Sequence, residues 1–349
     1  MSNPRIPAHA CLRATSGTSR ITRRGALGAV AAALAGGFTG GFASTAHAAD
    51  AWPSKAVRII VPFAPGGGAD SSARVLGEVM GPPLGQSFIV ENRPGAGSAI
   101  GVQAAAAARD QHTLLMGSNS MVIGPILNPA ITYDVFRDFD PVGMVSSQPL
   151  VLVVPGNSPL RSLADVVAAA KAQPGQLSAG NSGNGTLAHL TAELFSLQTG
   201  TSLVNVPYKG ESALMPDLIG GRVSLGFLNL PSVLVHVRSG ALRALAVSSA
   251  QPAPELPGVA TLASLGYPAL QVLGWAALLA PKGLPPEAQA RLERQLQAAL
   301  GNDAVKQRFA GIGVAPFTGM GRDATLKYLR EEDTRWREVI KTRGIKLEG

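Results

Sequence analysis

The stretch IIVPFAPGGGADSSAR, residues 59–74, sets an apolar run against three consecutive glycines and then a segment of helical character. Strand, glycine turn and helix in that order is a building unit of α/β proteins. It is also the outline of a phosphate cradle, but the Lys-Ser or Lys-Thr pair that a nucleotide loop carries after its glycines is absent. With the strand ending at Phe63 and the helix starting near Asp70, the turn is Pro65-Gly66-Gly67-Gly68. A backbone without Cβ atoms can approach a ligand closely and take positive φ values. The unpaired amides at the start of the helix that follows favour an anion.

The same device recurs at GNSGNGT, residues 180–186, where backbone amides and the hydroxyls of Ser182 and Thr186 can donate to an oxygen-rich group. Around these two turns the chain alternates short apolar runs with helical patterns, which predicts an α/β protein. Strands are expected at 57–63, 87–92, 113–117, 149–155, 203–207, 223–229, 242–248 and 273–281. The helix opening at Ser162 carries Asp165 three residues on, as a capping box requires. A second helix places Leu187, Leu190, Leu194 and Leu197 on one stripe and stops at Gly200. The C-terminal part changes to long amphipathic helices, the last with the i,i+4 pairs Glu331–Arg335 and Asp333–Arg337.

A chain of 349 residues has room for two domains, and a 15% charged content suits a globular protein. The net charge of +8 is concentrated at the front: Arg5, Arg13, Arg20, Arg23 and Arg24 precede residue 49 with no acid among them, and without these five it falls to +3. That is a weak basis for binding nucleic acid. An arginine-rich start, an uncharged run to residue 48 and the small-residue site Ala46-His47-Ala48 predict an export signal over 1–48. The adjacent arginines of TRRGAL point to the twin-arginine route, although Ala26 stands where that signal carries an aromatic, which leaves the general secretory route open. An uncleaved anchor is the alternative. Cys11, the only cysteine, lies ahead of the apolar run, so the exported part has neither disulfide nor thiolate metal site. The periplasm is the expected location.

Seven blocks carry a family resemblance: VRIIVPFAPGGGADSSAR (57–74), VENRPGAGSAIG (90–101), YDVFRDFDPVGMV (133–145), AGNSGNGTLAHLTAELF (179–195), VPYKGESALMPDLIGGRVSLGF (206–227), GALRALAVSS (240–249) and GWAALLAPKGLP (274–285). In this order and over nearly the whole exported chain, the sequence resembles the periplasmic substrate-binding proteins of tripartite tricarboxylate transporters, the Bug family. It departs from them at Ala260 and Ser264, where the family carries Pro and Glu, and at Gln111-His112, where it carries Gly-Tyr. The resemblance implies an α/β, two-lobed Venus-flytrap protein of type II-like topology whose chain crosses between lobes twice. Residues 49–150 and 276–349 would form lobe one and 151–275 lobe two, with hinges near Pro155-Gly156 and Ala280-Pro281.

It further implies a small carboxylate held in the cleft largely by backbone groups and ordered waters, with no cofactor and no metal. The partners implied are the membrane subunits of such a transporter, or a sensor kinase; the exported protein would be a soluble monomer. On lobe one the expected contacts are Phe63, Ala64, Pro65, Gly66, Gly67, Gly68 and Asp70, with Ser118 and Asn119 from a third loop. On lobe two they are Asn181, Ser182, Gly183, Gly185, Thr186, His189, Tyr208, Lys209, Gly210 and Asp217. Asp70 is read either as a helix cap or as a contact, and His189 as local support for its helix or as a cleft residue. Lys209 would be solvated or would meet a second carboxylate. Asp217 would accept from a ligand amine or hydroxyl, or shape its helix. Gly95 and Gly97 serve a tight turn. Selectivity is expected from side chains at 118–123 and 227–232, where the apolar segments SMVIG (120–124) and FLNLPS (227–232) favour a ligand with a hydrocarbon or aromatic body.

Enzymatic readings find little support. No G-x-S-x-G elbow occurs, His112, His189 and His236 are too scattered for a metal triad, and no dinucleotide fingerprint with its acidic partner is found.

Overall fold

The computed structural model describes residues 52–346; the expected export signal lies outside them. The chain runs through β1 (Val57–Val61), α1 (Gly68–Leu84), β2 (Phe88–Asn92), α2 (Ala99–Ala106), β3 (Thr113–Ser118), α3 (Asn119–Leu127), α4 (Val135–Asp138) and the long strand β4 (Phe139–Pro155). It continues with α5 (Leu163–Ala172), β5 (Ser178–Asn181), α6 (Leu187–Thr199), β6 (Val204–Pro207), α7 (Glu211–Ile219), β7 (Leu225–Asn229), α8 (Leu230–Arg238), β8 (Leu242–Val247) and β9 (Leu273–Pro281). Helices α9 (Pro286–Gly301) and α10 (Asp303–Gly311), the short β10 (Ala315–Pro316) and α11 (Arg322–Arg343) complete it.

Strand order is β2-β1-β3-β9-β4-β7-β5-β6, with β8 and β10 also paired to β4. Strand β4 is shared between two halves: residues 139–149 pair with β9, and 150–155 pair with β7 and β8. In one half β2, β1 and β3 are parallel; in the other β6, β5 and β7 are. Side chains alternate between faces. Ile59 and Val61 pack with Leu114, Met116 and Leu278 on one side, while Ile60, Leu115 and Leu279 pack with Trp275 on the other. Burial on both faces explains why these strands are near-continuous apolar runs, each fully buried Leu or Ile contributing about 1.5–3 kcal/mol.

The crossings between halves lie at 148–150 and within 247–273. Ser248 ties them together: its Oγ accepts from the Leu150 amide at 2.8 Å and donates to the Val272 carbonyl at 2.6 Å. The expected hinges at Pro155-Gly156 and Ala280-Pro281 are corrected by this pairing. Pro155 lies opposite Leu242 and Pro281 opposite Phe139, at strand ends remote from the junction. Helix α11 spans both halves, with Leu329 packed in the cluster of Trp275 and Trp336 in that of Leu150. Between them the buried Glu332 accepts N–H bonds from Asn119, Trp275 and Trp336 at 3.1, 2.9 and 3.1 Å.

Local signals hold where they are chemically specific. Ser162 and Asp165 form the reciprocal capping box, and Gly200 closes α6 in the left-handed conformation. Asp333 pairs with Arg337 at 2.9 Å, but Glu331 faces Lys327 and Arg335 turns to Glu332 and the Gln271 carbonyl. Leu197, the last of the predicted α6 stripe, is exposed.

Candidate functional site

A cavity of about 60 Å³ lies between the two halves at the C-terminal ends of the parallel strands. It is large enough for several water-sized groups. Ligands of open α/β sheets bind at that edge because the following helices begin there. From the β1–α1 connection come Phe63, Ala64, Gly67, Gly68, Ala69 and Asp70, and from β3–α3 come Ser118, Asn119 and Ser120. The opposing half supplies Ser182, Thr186, Leu187 and Ala188 at the start of α6, Glu211 at the start of α7, and Asn229 at the end of β7. Gln148, Gly274 and Trp275 come from the strands that join the halves. The N-termini of α1, α3 and α6 thus converge on one space, an arrangement that receives negative charge.

The glycine turn is built differently from the expected one. Helix α1 begins at Gly68 rather than near Asp70, Gly67 is its extended N-cap, and only Gly66 takes a positive φ, of 92°. A Cβ on Gly68 would stand 3.2 Å from the Pro231 ring, so the missing side chain permits the opposing half to come close. Asp70 does not cap α1. Its carboxylate accepts from the Gly66 amide at 2.9 Å, from Arg74 at 2.9 and 3.1 Å and from Asn92 at 3.0 Å, which fastens the turn from behind. Burial opposes its charge, but the bonds from Arg74, Gly66 and Asn92 outweigh this and hold the carboxyl below the usual range.

Several expected contacts act through the scaffold. Asn119 is engaged with β9, accepting from the Trp275 amide at 3.0 Å and donating to the Leu273 carbonyl and Glu332. The Thr186 hydroxyl donates to the Gly183 carbonyl at 2.7 Å and accepts from the His189 amide, as an N-cap does. Asn181 is buried behind its turn and accepts from the Gly183 amide at 2.9 Å. His189 is also buried away from the cavity and accepts at Nδ1 from the Gly185 amide at 3.3 Å; burial lowers its pKa.

Pro65, Gly66, Asn181, Gly183, Gly185, His189, Tyr208, Lys209, Gly210 and Asp217 do not line the cavity. The Asp217 carboxylate is bound by the Tyr208 hydroxyl at 2.6 Å and by Arg222, on the outer side of α7. Lys209 is exposed and borders a separate groove with Ala96, Asn128 and Asn184, so no cation from this side chain enters the cavity. Gly183 and Gly210 instead seal the interface between the halves. A Cβ on Gly183 would stand 3.0 Å from the Gly97 Cα, one on Gly210 3.1 Å from the Ala64 amide nitrogen, and one on Gly97 only 2.0 Å from the Asn184 carbonyl oxygen. Gly97, with φ 61°, is therefore both turn residue and seat for the opposite loop.

The expected apolar lining is absent for a geometric reason. Met121, Val122 and Ile123 project from α3 into the core, as do Phe227, Leu228 and Leu230 around β7, leaving Ser118, Ser120 and Asn229 at the cavity. The polar residues that sequence reasoning missed are Gln148 and Glu211, while Ser120 and Asn229 fall within the two segments read there as apolar. Glu211 is buried, and its Oε1 accepts from the Asn229 amide and side-chain nitrogen, both at 2.9 Å. Burial pushes its carboxyl up, and the bonds from Asn229 offset that only in part. Its one sequence signal was its place directly after Gly210; Gln148, in mid-strand, had none.

A family model described as tripartite tricarboxylate transporter family receptor matches residues 72–345. The chain belongs to this receptor family. BugT of Bordetella pertussis is 42% identical over 302 residues, covering 86% of this receptor and 92% of BugT. The solved periplasmic binding protein BugD superposes with a TM-score of 0.82 at 30% identity, covering 85% of the receptor and all of that chain. The R. palustris protein Rpa4515, solved with adipate, gives 0.81 at 33% identity over 84% of the receptor and 99% of its own chain. The receptor accordingly has the two-lobed α/β architecture of periplasmic binding proteins, and its halves are the two lobes.

Proposed function

We propose that this receptor captures a small carboxylate in the periplasm by closing its lobes over it, and delivers it to the membrane subunits of a tripartite transporter. The observation that carries the reading is the convergence of three helix N-termini, from both lobes, on one cavity lined by no Lys, Arg or His. Fixed amides donate to a carboxylate without needing a counter-charge to be buried with it. The adipate in a relative of the same fold supports the ligand class. Gln148 Oε1 and the Ser118 hydroxyl, buried without a protein partner, are the side-chain groups ready to contact the ligand or its waters.

In this reading lobe one comprises the residues up to 149 and from the start of β9 at 273 onward, rather than from 276, lobe two lies between them, α11 braces both, and residues 1–48 direct export and are removed. The Ser248 junction, which ties the two crossings between the lobes, acts as the pivot. The receptor carries out no chemistry on its ligand. A thermal-shift screen against mono-, di- and tricarboxylates, amino acids and aromatic acids tests this. Ligand that binds only the native state raises the melting temperature by mass action. A carboxylate hit confirmed by calorimetry is the expected result; silence towards every acid after unfolding and refolding would overturn it.

A further inference from the structure

Beside the helix N-termini the cavity carries two side-chain acceptors, and the two are linked. Glu211 Oε1 accepts from the Asn229 side-chain nitrogen at 2.9 Å, which turns the Asn229 NH₂ group towards it. The Asn229 Oδ1 then faces Gln148, whose Nε2 donates to it at 3.3 Å. Gln148 is left presenting Oε1, which is buried and has no partner in the protein. Glu211 is 7% exposed and Gln148 6%, and both line the cavity.

The charge on Glu211 is unmatched. Asp70, the other acid of the cavity, is paired with Arg74, whereas the groups around Glu211 are Asn229 and Ser232, neither of them cationic. The Ser232 hydroxyl finds no protein partner of hydrogen-bonding geometry. A buried carboxylate without a cation is strongly disfavoured, and an ammonium delivered by the ligand would remove that penalty.

We propose that the ligand is a zwitterion, its carboxylate against the helix N-termini and its ammonium donating to Glu211 and to Gln148 Oε1. This deepens the carboxylate-capture reading and rests on it. An ammonium has three donors, enough for both acceptors and one water. Glu211 is then the residue that selects amino acids over the acids that lack the amine.

The test is calorimetric titration with matched pairs that differ by the amine: aspartate and succinate, glutamate and glutarate, 4-aminobutyrate and butyrate, and the remaining amino acids with their des-amino acids. The wild-type receptor is expected to prefer the amino member of its best pair by about 30-fold or more, the scale of a buried charge pair. Glu211→Gln retains an oxygen for both Asn229 bonds; it should lower affinity for that member by a similar factor and shrink the preference to about threefold. Gln148→Leu should weaken the amino member selectively, by about tenfold, and supports the same comparison if Glu211→Gln does not fold. A wild-type receptor that binds the des-amino member as well or better overturns the zwitterion and leaves carboxylate capture standing. Binding of putrescine with silence towards every acid overturns carboxylate capture itself, and silence towards all probes overturns both.

Discussion

Gly97 offers the sharpest test of lobe closure. A Cβ there would lie 2.0 Å from the Asn184 carbonyl oxygen, against 3.4 Å or more for ordinary contact, so Gly97→Ala forces the two loops about 1.4 Å apart. The obstacle is backbone on both sides, and no rotamer relieves it. Gly200 has nearly the same φ, 63° against 61°, but nothing within 4 Å of its Cβ position. Gly200→Ala therefore reproduces the conformational cost, about 1 kcal/mol, without the clash. A displacement of 1.4 Å lengthens a hydrogen bond beyond useful range, and each bond to a charged group is worth about 1.5–3 kcal/mol. If one lobe loses two such bonds to the ligand carboxylate, the loss is about 3 kcal/mol or more, at least about 100-fold in Kd. Both variants should melt slightly below wild type, and calorimetry should show near wild-type affinity for Gly200→Ala alone. A Gly97→Ala affinity within about threefold of the Gly200→Ala value would refute the closure argument.

Ser248→Ala leaves the Leu150 amide and the Val272 carbonyl without their buried partner and should destabilise the fold by about 2–3 kcal/mol, read as a lower urea midpoint. Asp70→Asn weakens the bonds that fasten the glycine turn and should cost about 1–3 kcal/mol at neutral pH. Because the folded pKa of Asp70 is lowered, its ionic contribution is complete above about pH 4 and is lost as pH falls through the folded value. The stability curves of wild type and Asp70→Asn should therefore converge in acid, and a constant gap down to pH 2 would contradict that assignment. Lys209→Ala and Asp217→Ala, both outside the cavity, should leave ligand affinity within about twofold of wild type by calorimetry.

Most strands were legible because strands buried on both faces must be apolar throughout, and runs such as 113–117 and 273–281 satisfy that directly. Strand β5 was not, since Ser178-Ala179-Gly180-Asn181 has no such pattern and is held as a strand by β6 and β7. The first part of β4 was hidden by Pro141 and Gly143, where its register against β9 shifts. The two glycine turns could be found because glycine ahead of a helix has a local meaning. The positions of Thr186 and Ser162 as caps followed from the same kind of short-range chemistry.

The amino-acid sequence alone determined the alternating α/β pattern, the two glycine turns ahead of helices and the family blocks, because each depends on neighbours within a few residues. Tertiary structure decided which side of each turn faces the cavity. It turned Asp70 back towards Arg74, drew Asp217 to Tyr208 and Arg222, and left Lys209 on the outside. It also brought Gln148, Asn229 and Glu211, which are far apart along the chain, into one hydrogen-bonded line. Such an arrangement depends on the pairing of β4 with β7 and on the burial of the start of α7, and these are long-range consequences of folding that no local pattern encodes.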